Sequence, residues 1–297
     1  MENPSSRDWY YKIEMSPGVF TDGSDRPTIG PVRALYKDVS FDGLNCLDVG
    51  TMEGIMPSLM KRAGAKEVTA TDWIDSSAKI EQVKKALDVD FTYHPKLTIP
   101  SLPSALGRTF DLVNFSGVLY HTLNPLGSLA TVRSLCRLGG LMLVETRTLH
   151  RTDIAMILNP PEISPRRGSY FYFTTAGLDH CLRLVGLKPI AFTYAGSVNE
   201  GYQQRVAVLC QSVLPSEAID TPANAEWVSQ ARLKADLVRE CQLDFETLST
   251  GAPALDSPVF QSGGIPLEGR GLYEAMSDSS QYKVQADDKV VRLGAGF

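Results

Sequence analysis

Cys46-Leu47-Asp48-Val49-Gly50-Thr51-Met52-Glu53-Gly54, followed at the end of the next apolar run by Ala70-Thr71-Asp72, decides the fold of this 297-residue chain. The order is a buried strand, a tight glycine turn and then, 22 residues after Gly50, an acidic side chain. Glycine after a buried strand lets the backbone turn sharply and approach a ligand where a Cβ would collide. A carboxylate about 20 residues on, at the end of the second strand, can accept both hydroxyl protons of a ribose. Gly50 and Asp72 therefore predict a nucleoside-binding crevice. Asp48, in the apolar first strand, is costly to bury unless it orients the turn or meets a cation. The spacing Gly50-x-Met52-x-Gly54 departs from the G-x-G-x-x-G of dinucleotide folds.

Outward from this turn the chain alternates strand and helix. Strands are expected at 45–49, 67–71, 90–93, 112–115, 141–145, 188–194 and 205–210, with helices at 54–63, 76–87, 126–136 and 175–185. A proline-broken loop is expected from Pro95 to Pro103. Residues 1–40 form an amino-terminal extension with turns at Ser16-Pro17-Gly18 and Asp22-Gly23 and a short helix near Val32 to Lys37. The prediction is an α/β fold: a Rossmann-like, doubly wound, seven-stranded, mostly parallel sheet in a domain spanning 41–212. Residues 213–297 add a helix and an irregular tail.

Five segments narrow the class: Trp9-Tyr10-Tyr11-Lys12-Ile13-Glu14, Leu47 to Gly54, Phe110-Asp111-Leu112-Val113, Gly117-Val118-Leu119-Tyr120-His121-Thr122-Leu123-Asn124-Pro125-Leu126, and Leu143-Val144-Glu145-Thr146. The D-x-G-x-x-x-G form resembles the first motif of class I S-adenosyl-L-methionine (SAM) methyltransferases. The series resembles the branch typified by the tRNA wobble-uridine carboxymethyltransferase and its methyltransferase-like relatives. That resemblance covers residues 9 to 210. It implies SAM as cofactor and S-adenosyl-L-homocysteine (SAH) as product, and it makes Met52, where class I enzymes commonly carry glycine, less anomalous.

In an open α/β sheet the ligand lies over the carboxyl edge, which assigns candidate residues. The cofactor set is Asp48, Gly50, Thr51, Gly54, Asp72, Trp73, Ser116 and Gly117. Trp73 borders the adenine or is a packing indole; both readings stay open. Tyr120, His121 and Glu145 are the candidate catalytic groups, with His121 either a base or a structural hydrogen-bonding residue. Arg147 to Phe173 is far longer than the usual connection of about 2 to 6 residues and is expected to determine the substrate. Arg147, Arg166 and Arg167 can meet an anion there, and Tyr170 and Tyr172 a ring. Phe171 and Phe173 are expected to pack on the core as a strand edge.

Composition bounds the alternatives. Hydrophobic residues make up 43% and charged residues 21%, as in an ordinary globular domain. No apolar run reaches the roughly 18 residues of a membrane span, and the first residues lack a basic-then-apolar leader, so a cytoplasmic protein is expected. The five cysteines are dispersed and predict buried thiols in a reducing compartment. No H-E-x-x-H, C-x-x-C or G-x-S-x-G occurs, so no metal site is expected. A net charge of −5 is opposite to the basic field that binds nucleic acid. Methyl transfer to a small molecule of secondary or specialised metabolism is the leading expectation. A SAM-binding protein that transfers no methyl (a hydrolase, a cyclase or a non-catalytic subunit) and a tRNA-modifying (carboxy)methyltransferase are the rivals. A stripe through Trp227, Ala231, Val238, Cys241, Phe245 and Leu248 predicts a carboxyl-terminal helix that docks on its own domain or, as a homodimer or partner contact, on another chain.

Overall fold

The computed structural model describes residues 8–24, 29–159, 168–196, 199, 203–218, 235, 236, 238–240, 263–279 and 297. Arg166, Arg167 and the predicted stripe, apart from an exposed Val238, lie outside them.

The first apolar run is strand β3 (Asn45–Val49), and β4 (Glu67–Thr71), β5 (Thr92–His94), β6 (Phe110–Ser116) and β7 (Cys136–Leu149) follow it in parallel. β10 (Leu187–Gly196) and β11 (Gln203–Ser212) close the series, with β11 antiparallel between β7 and β10. These seven run β5-β4-β3-β6-β7-β11-β10 across the sheet. The order reverses between β3 and β6, so the crevice opens at their carboxyl ends.

Among the described residues three more strands extend the sheet to ten, a correction to the expected seven. Two come from the segment expected as a long loop. β7 runs on to Leu149, β9 (Phe171–Thr174) pairs in parallel with its last two residues, and β8 (Met156–Leu158) pairs antiparallel with β9. The third, β12 (Ile265–Pro266), pairs with the outer edge of β10. A small hairpin, β1 (Glu14–Ser16) and β2 (Val19–Phe20), lies apart from the sheet.

Period-two alternation divides the core between the two faces. On β6 and β7, Leu112, Leu141 and Leu143 face one side, with α1 (Ile29–Tyr36), α2 (Ile55–Arg62) and α3 (Ser77–Leu87). Val113, Phe115, Met142 and Val144 face the other, with α5 (Pro125–Ser134) and α6 (Thr175–Leu184). α2 buries Ile55, Met56, Leu59 and Met60, the stripe expected of a helix on a sheet, and each full burial is worth about 1.5–3 kcal/mol. α5 and α6 start on Asn124 and Thr174, whose side chains accept from the N–H of Gly127 and Gly177, both at 3.0 Å. The proline-broken stretch holds a 3₁₀ turn (Ile99–Ser101) and a short helix, α4 (Leu102–Leu106).

The described tail joins this body. After α7 (Pro215–Ala218), helix α8 (Leu272–Asp278) buries Leu272, Ala275 and Met276 in the core beside α6, and Phe297 stacks on Phe41 with centroids 4.9 Å apart. His150, 1% exposed, stacks on Tyr273 and bonds Ser277. Cys46, Cys136, Cys181 and Cys210 are free thiols. Among the described residues no helix is long and apolar enough to cross a membrane.

Candidate active site

The glycine turn is tied to the end of β4 by backbone and side chain. The N–H groups of Gly50 and Thr51 donate to the carbonyl of Thr71 at 2.9 and 3.1 Å, and the N–H of Met52 donates to Asp72 Oδ2 at 2.8 Å. Gly50 has φ +81°, and a Cβ there would lie 2.2 Å from Val118 Cγ2, so only glycine fits. Met52 also takes a left-handed φ of +52°. The turn therefore keeps the backbone that a glycine would give and holds a long side chain in it, at a cost of about 1–2 kcal/mol. Gly54, φ +80°, has a different role from the expected one. It lies outside the cavity lining at the start of α2, where a Cβ would meet Phe91 at 3.0 Å and Ile80 at 3.4 Å. It is a packing glycine.

Asp72 stands at the cavity wall with Oδ2 held by Met52 and Oδ1 by the N–H of Ile74 at 3.0 Å. A carboxylate offers about four lone-pair positions, so both oxygens keep acceptor capacity. Asp48 is 2% exposed; Asn114 Nδ2 donates to its Oδ1 at 2.7 Å, and the neighbouring Thr51 hydroxyl also acts on the carboxylate. Burial pushes the Asp48 carboxyl up to about 6. Both side chains border a second cavity of about 10 Å³, lined also by Tyr11, Gly50 and Ser116, which has room for one small polar group.

Glu53 closes the turn from above. Its carboxylate is 2% exposed and accepts from the N–H of Tyr10 at 2.8 Å and of Tyr11 at 2.9 Å, with Lys79 Nζ at 3.1 Å. Lys79 also donates to the carbonyl of Asp8 and lies 5.3 Å from the Trp9 ring centroid. One motif residue thereby fixes the amino-terminal segment over the crevice, and Tyr10 and Tyr11 become part of its lining.

At the other end, β6 leads into the Leu119–His121 3₁₀ turn. Tyr120 is 5% exposed and its hydroxyl accepts from Arg205 Nη1 and Nη2, both at 3.3 Å. Arg205 Nε and Nη2 also donate to the two oxygens of Glu145 at 2.6 and 2.7 Å. This corrects the expectation for Glu145: fully buried, outside the cavity lining and held by a bidentate guanidinium, it orients Arg205 and Tyr120 instead of accepting a substrate proton. Tyr172 is likewise corrected. Strand β9 pairs on both sides and is buried along its length, leaving Tyr172 2% exposed and away from the cavity, with Phe171 and Phe173. Tyr170, just before the strand, is 48% exposed and lines the cavity; its N–H donates to the carbonyl of Tyr120 at 3.0 Å.

His121 stands at the cavity wall with Nδ1 donating to the carbonyl of Gly168, which fixes Nε2 as the nitrogen free to accept a proton. Desolvation, and then the guanidiniums of Arg147 and Arg205, hold its pKa below the ordinary histidine value. Arg147 approaches from β7, its guanidinium 5.4 Å from the Tyr120 ring centroid.

These groups share one cavity of about 700 Å³, within the range of about 300–1,000 Å³ typical of ligand sites. Gly50, Asp72 and Trp73 line it from the carboxyl ends of β3 and β4, and Ser116, Gly117, Tyr120, His121 and Leu123 from the end of β6 and the turn after it, with Tyr170 beside them. Trp73 is 72% exposed at its edge, so it is not a core indole. The residues fit a ribose-bearing sulfonium. Asp72 has acceptor capacity, the Asp48 carboxyl in the small adjoining cavity suits an ammonium, and Leu97, Ile99 and Leu102 offer an apolar wall to a purine. Among the described residues no three His, Cys, Asp or Glu side chains gather as metal ligands. Sequence reasoning missed Glu53, Asn114 and Arg205. Charged or amide side chains inside apolar strands, as in Phe110-Asp111-Leu112-Val113-Asn114-Phe115 and Arg205-Val206-Ala207-Val208, were the available signal.

Comparison with known proteins agrees with this geometry. Residues 28–191 match the methyltransferase domain family. Over 167 residues the chain is 29% identical to the ubiquinone biosynthesis O-methyltransferase of Ruegeria sp. (strain TM1040), covering 53% of this chain and 66% of that protein. Over 159 residues it is 28% identical to the tRNA U34 carboxymethyltransferase of Pseudoalteromonas translucida (strain TAC 125), covering 53% and 49%. The chain thus spans just under two thirds of the first relative and about half of the second. The crystal structure of the N-terminal domain of EvdMO1, in the presence of SAH and D-fucose, shares the fold at a TM-score of 0.51 and 19% identity, over 69% of this chain and 91% of that one. The chain belongs to the class I SAM-dependent methyltransferase family, whose cofactor is SAM.

Proposed function

We propose that this chain transfers the methyl group of SAM to a small biosynthetic molecule in the cytoplasm. The observation that carries this reading is the continuity of the cavity: the Gly50–Asp72 end and the Tyr120–His121 end are two ends of one space, large enough for a nucleoside and an acceptor together. Asp72 would hold the ribose and the Gly50–Thr51 turn, with Asp48, Ser116 and Gly117, the amino-acid part, while Trp73 would border the base. Bound SAM supplies an electrophilic methyl on a sulfonium, so most of the rate would come from orientation. His121, kept neutral at pH 7 by its lowered pKa, would take the proton of a hydroxyl or amine acceptor at Nε2. Residues 41–212 would be the catalytic unit, with 1–40 and 213–297 as appendages to it. Nucleic acid is disfavoured as acceptor by the net charge of −5.

Titration calorimetry with SAM and SAH tests the cofactor end, and Asp72→Ala is expected to weaken both by about 10- to 100-fold, the loss of charge-assisted hydrogen bonds. Mass analysis of products after incubation with SAM, with and without tRNA and cell extract, tests the rest. SAH with a methylated small molecule supports the proposal. A modified tRNA, SAM cleavage fragments or no turnover overturns it in favour of a rival.

A further inference from the structure

Among the described residues, Arg147 is a guanidinium next to this site with neither a cofactor-holding nor a catalytic role. On β7 it lies two residues beyond Glu145 and so on the same face, and the register places it directly opposite Arg205 on β11. Both guanidiniums lie against the Tyr120 ring, 5.4 Å from its centroid for Arg147 and 5.3 Å for Arg205. Like charges across a strand pair repel. Arg205 is neutralised by both oxygens of Glu145, whereas among the described residues Arg147 makes no ion pair and no hydrogen bond, and its Nε is buried without a partner. The stack on Tyr120 offsets part of that cost but offers no acceptor to any of five N–H donors. Two guanidiniums against one carboxylate leave a single positive charge beside the Tyr120–His121 turn that forms the cavity wall. A monoanion balances it; a phosphate dianion would leave excess negative charge in a half-buried place. Around the mouth the cavity presents large apolar side chains to solvent: Trp73 at 72% exposure, Leu123 at 84% and Tyr170 at 48%.

We propose that the acceptor is an amphipathic carboxylate, with its carboxylate reaching past the Tyr120–His121 turn to Arg147, which stands outside the cavity lining, and its apolar body along Leu123 and Tyr170. This rests on the cavity being a joint cofactor and acceptor site. A fork of guanidinium N–H groups on a carboxylate, next to Tyr120 and His121, would fix the acceptor's orientation at the end of the cavity opposite Asp72. Arg147 would then be a specificity-determining residue, separate from the cofactor-holding set.

The full chain, first titrated with SAH and then saturated with it, is titrated with octanoate, octan-1-ol and octyl phosphate. Octanoate is expected to bind about tenfold or more tightly than octan-1-ol, the worth of a charge-assisted pair. In Arg147→Ala that preference is expected to vanish while SAH affinity stays within about twofold, and Arg147→Lys, a point charge without the fork, is expected to retain part of it. Equal binding of octanoate and octan-1-ol, a preference that survives in Arg147→Ala, or tighter binding of octyl phosphate overturns the assignment while leaving the cofactor site intact. Failure of SAH to bind in the first titration overturns the methyl-transfer reading on which the assignment rests.

Discussion

At the Gly50 end of the cavity the backbone of the turn is tied within the first strand–helix–strand unit, where the Met52 to Asp72 bond spans 20 positions, and the Asp48 carboxylate beneath it is met from 66 positions away by Asn114. At the Tyr120 end they cross the molecule, since Arg205 reaches 60 positions back to Glu145 and 85 back to Tyr120. The first end is mostly backbone, held in glycine-like conformations and closed by one carboxylate. The second is a charged side-chain cluster that exists only because β6, β7 and β11 lie side by side. On the proposed function, a cofactor common to many enzymes would suit the local construction and an acceptor particular to one enzyme the long-range one, because side chains can change there without disturbing a turn.

Breaking the long-range end should have the largest effect. Glu145→Gln leaves the Arg205 charge buried without its counterion and should cost about 3–5 kcal/mol in urea unfolding. Replacing both members, Glu145→Met with Arg205→Met, should restore most of it. If instead Glu145→Gln unfolds like the parent and only turnover is lost, Glu145 is a proton acceptor and the contrast between the two ends collapses.

At the local end, Gly50→Ala pushes a Cβ into Val118 at φ +81° and should cost about 2–4 kcal/mol with loss of SAH binding. Adding Val118→Ala should return part of the stability. The strain of the left-handed backbone should persist.

The third test uses pH. Burial raises the Asp48 carboxyl from 3.8 to about 6, so the native state holds this proton more tightly than the unfolded chain. Its contribution is fully present below pH 3.8 and is lost as pH rises through about 6. Asp48→Asn should therefore remove a fall in stability across that window and make the ligand-free protein more stable at pH 7. An unchanged pH profile would mean that Asp48 is not the buried acid of this turn. The smallest effect belongs to Met52. Met52→Gly should change stability by no more than about 1 kcal/mol, as relief of strain and loss of chain stiffness cancel, whereas β-branched Met52→Val should cost about 1–2 kcal/mol.

Much of the Gly50 turn was legible because its backbone determinants are local. A strand followed by Gly50 and, one strand later, Asp72 needs only the short reach of a strand–turn–helix–strand unit. The same sequence misled at Gly54, where a glycine spacing that fits a ligand turn is satisfied by packing against Phe91 and Ile80. It misled again after Glu145, where a stretch long enough to be a loop became two extra strands. Whether an aromatic run is exposed depends on which strands flank it, and Tyr172 is covered on both sides.

By itself, the sequence determined the order of strands and helices, the turn at Gly50 and the acid at Asp72. Periodicity and backbone sterics act over a few residues, so they can be read without knowing the neighbours. Only the tertiary structure decided that Glu145 is spent on Arg205, that Glu53 fastens Tyr10 and Tyr11 over the crevice, and that Arg147 comes to lie against the Tyr120 ring. A side chain's charge becomes chemistry or structure according to what is packed against it, and those partners arrive from other strands.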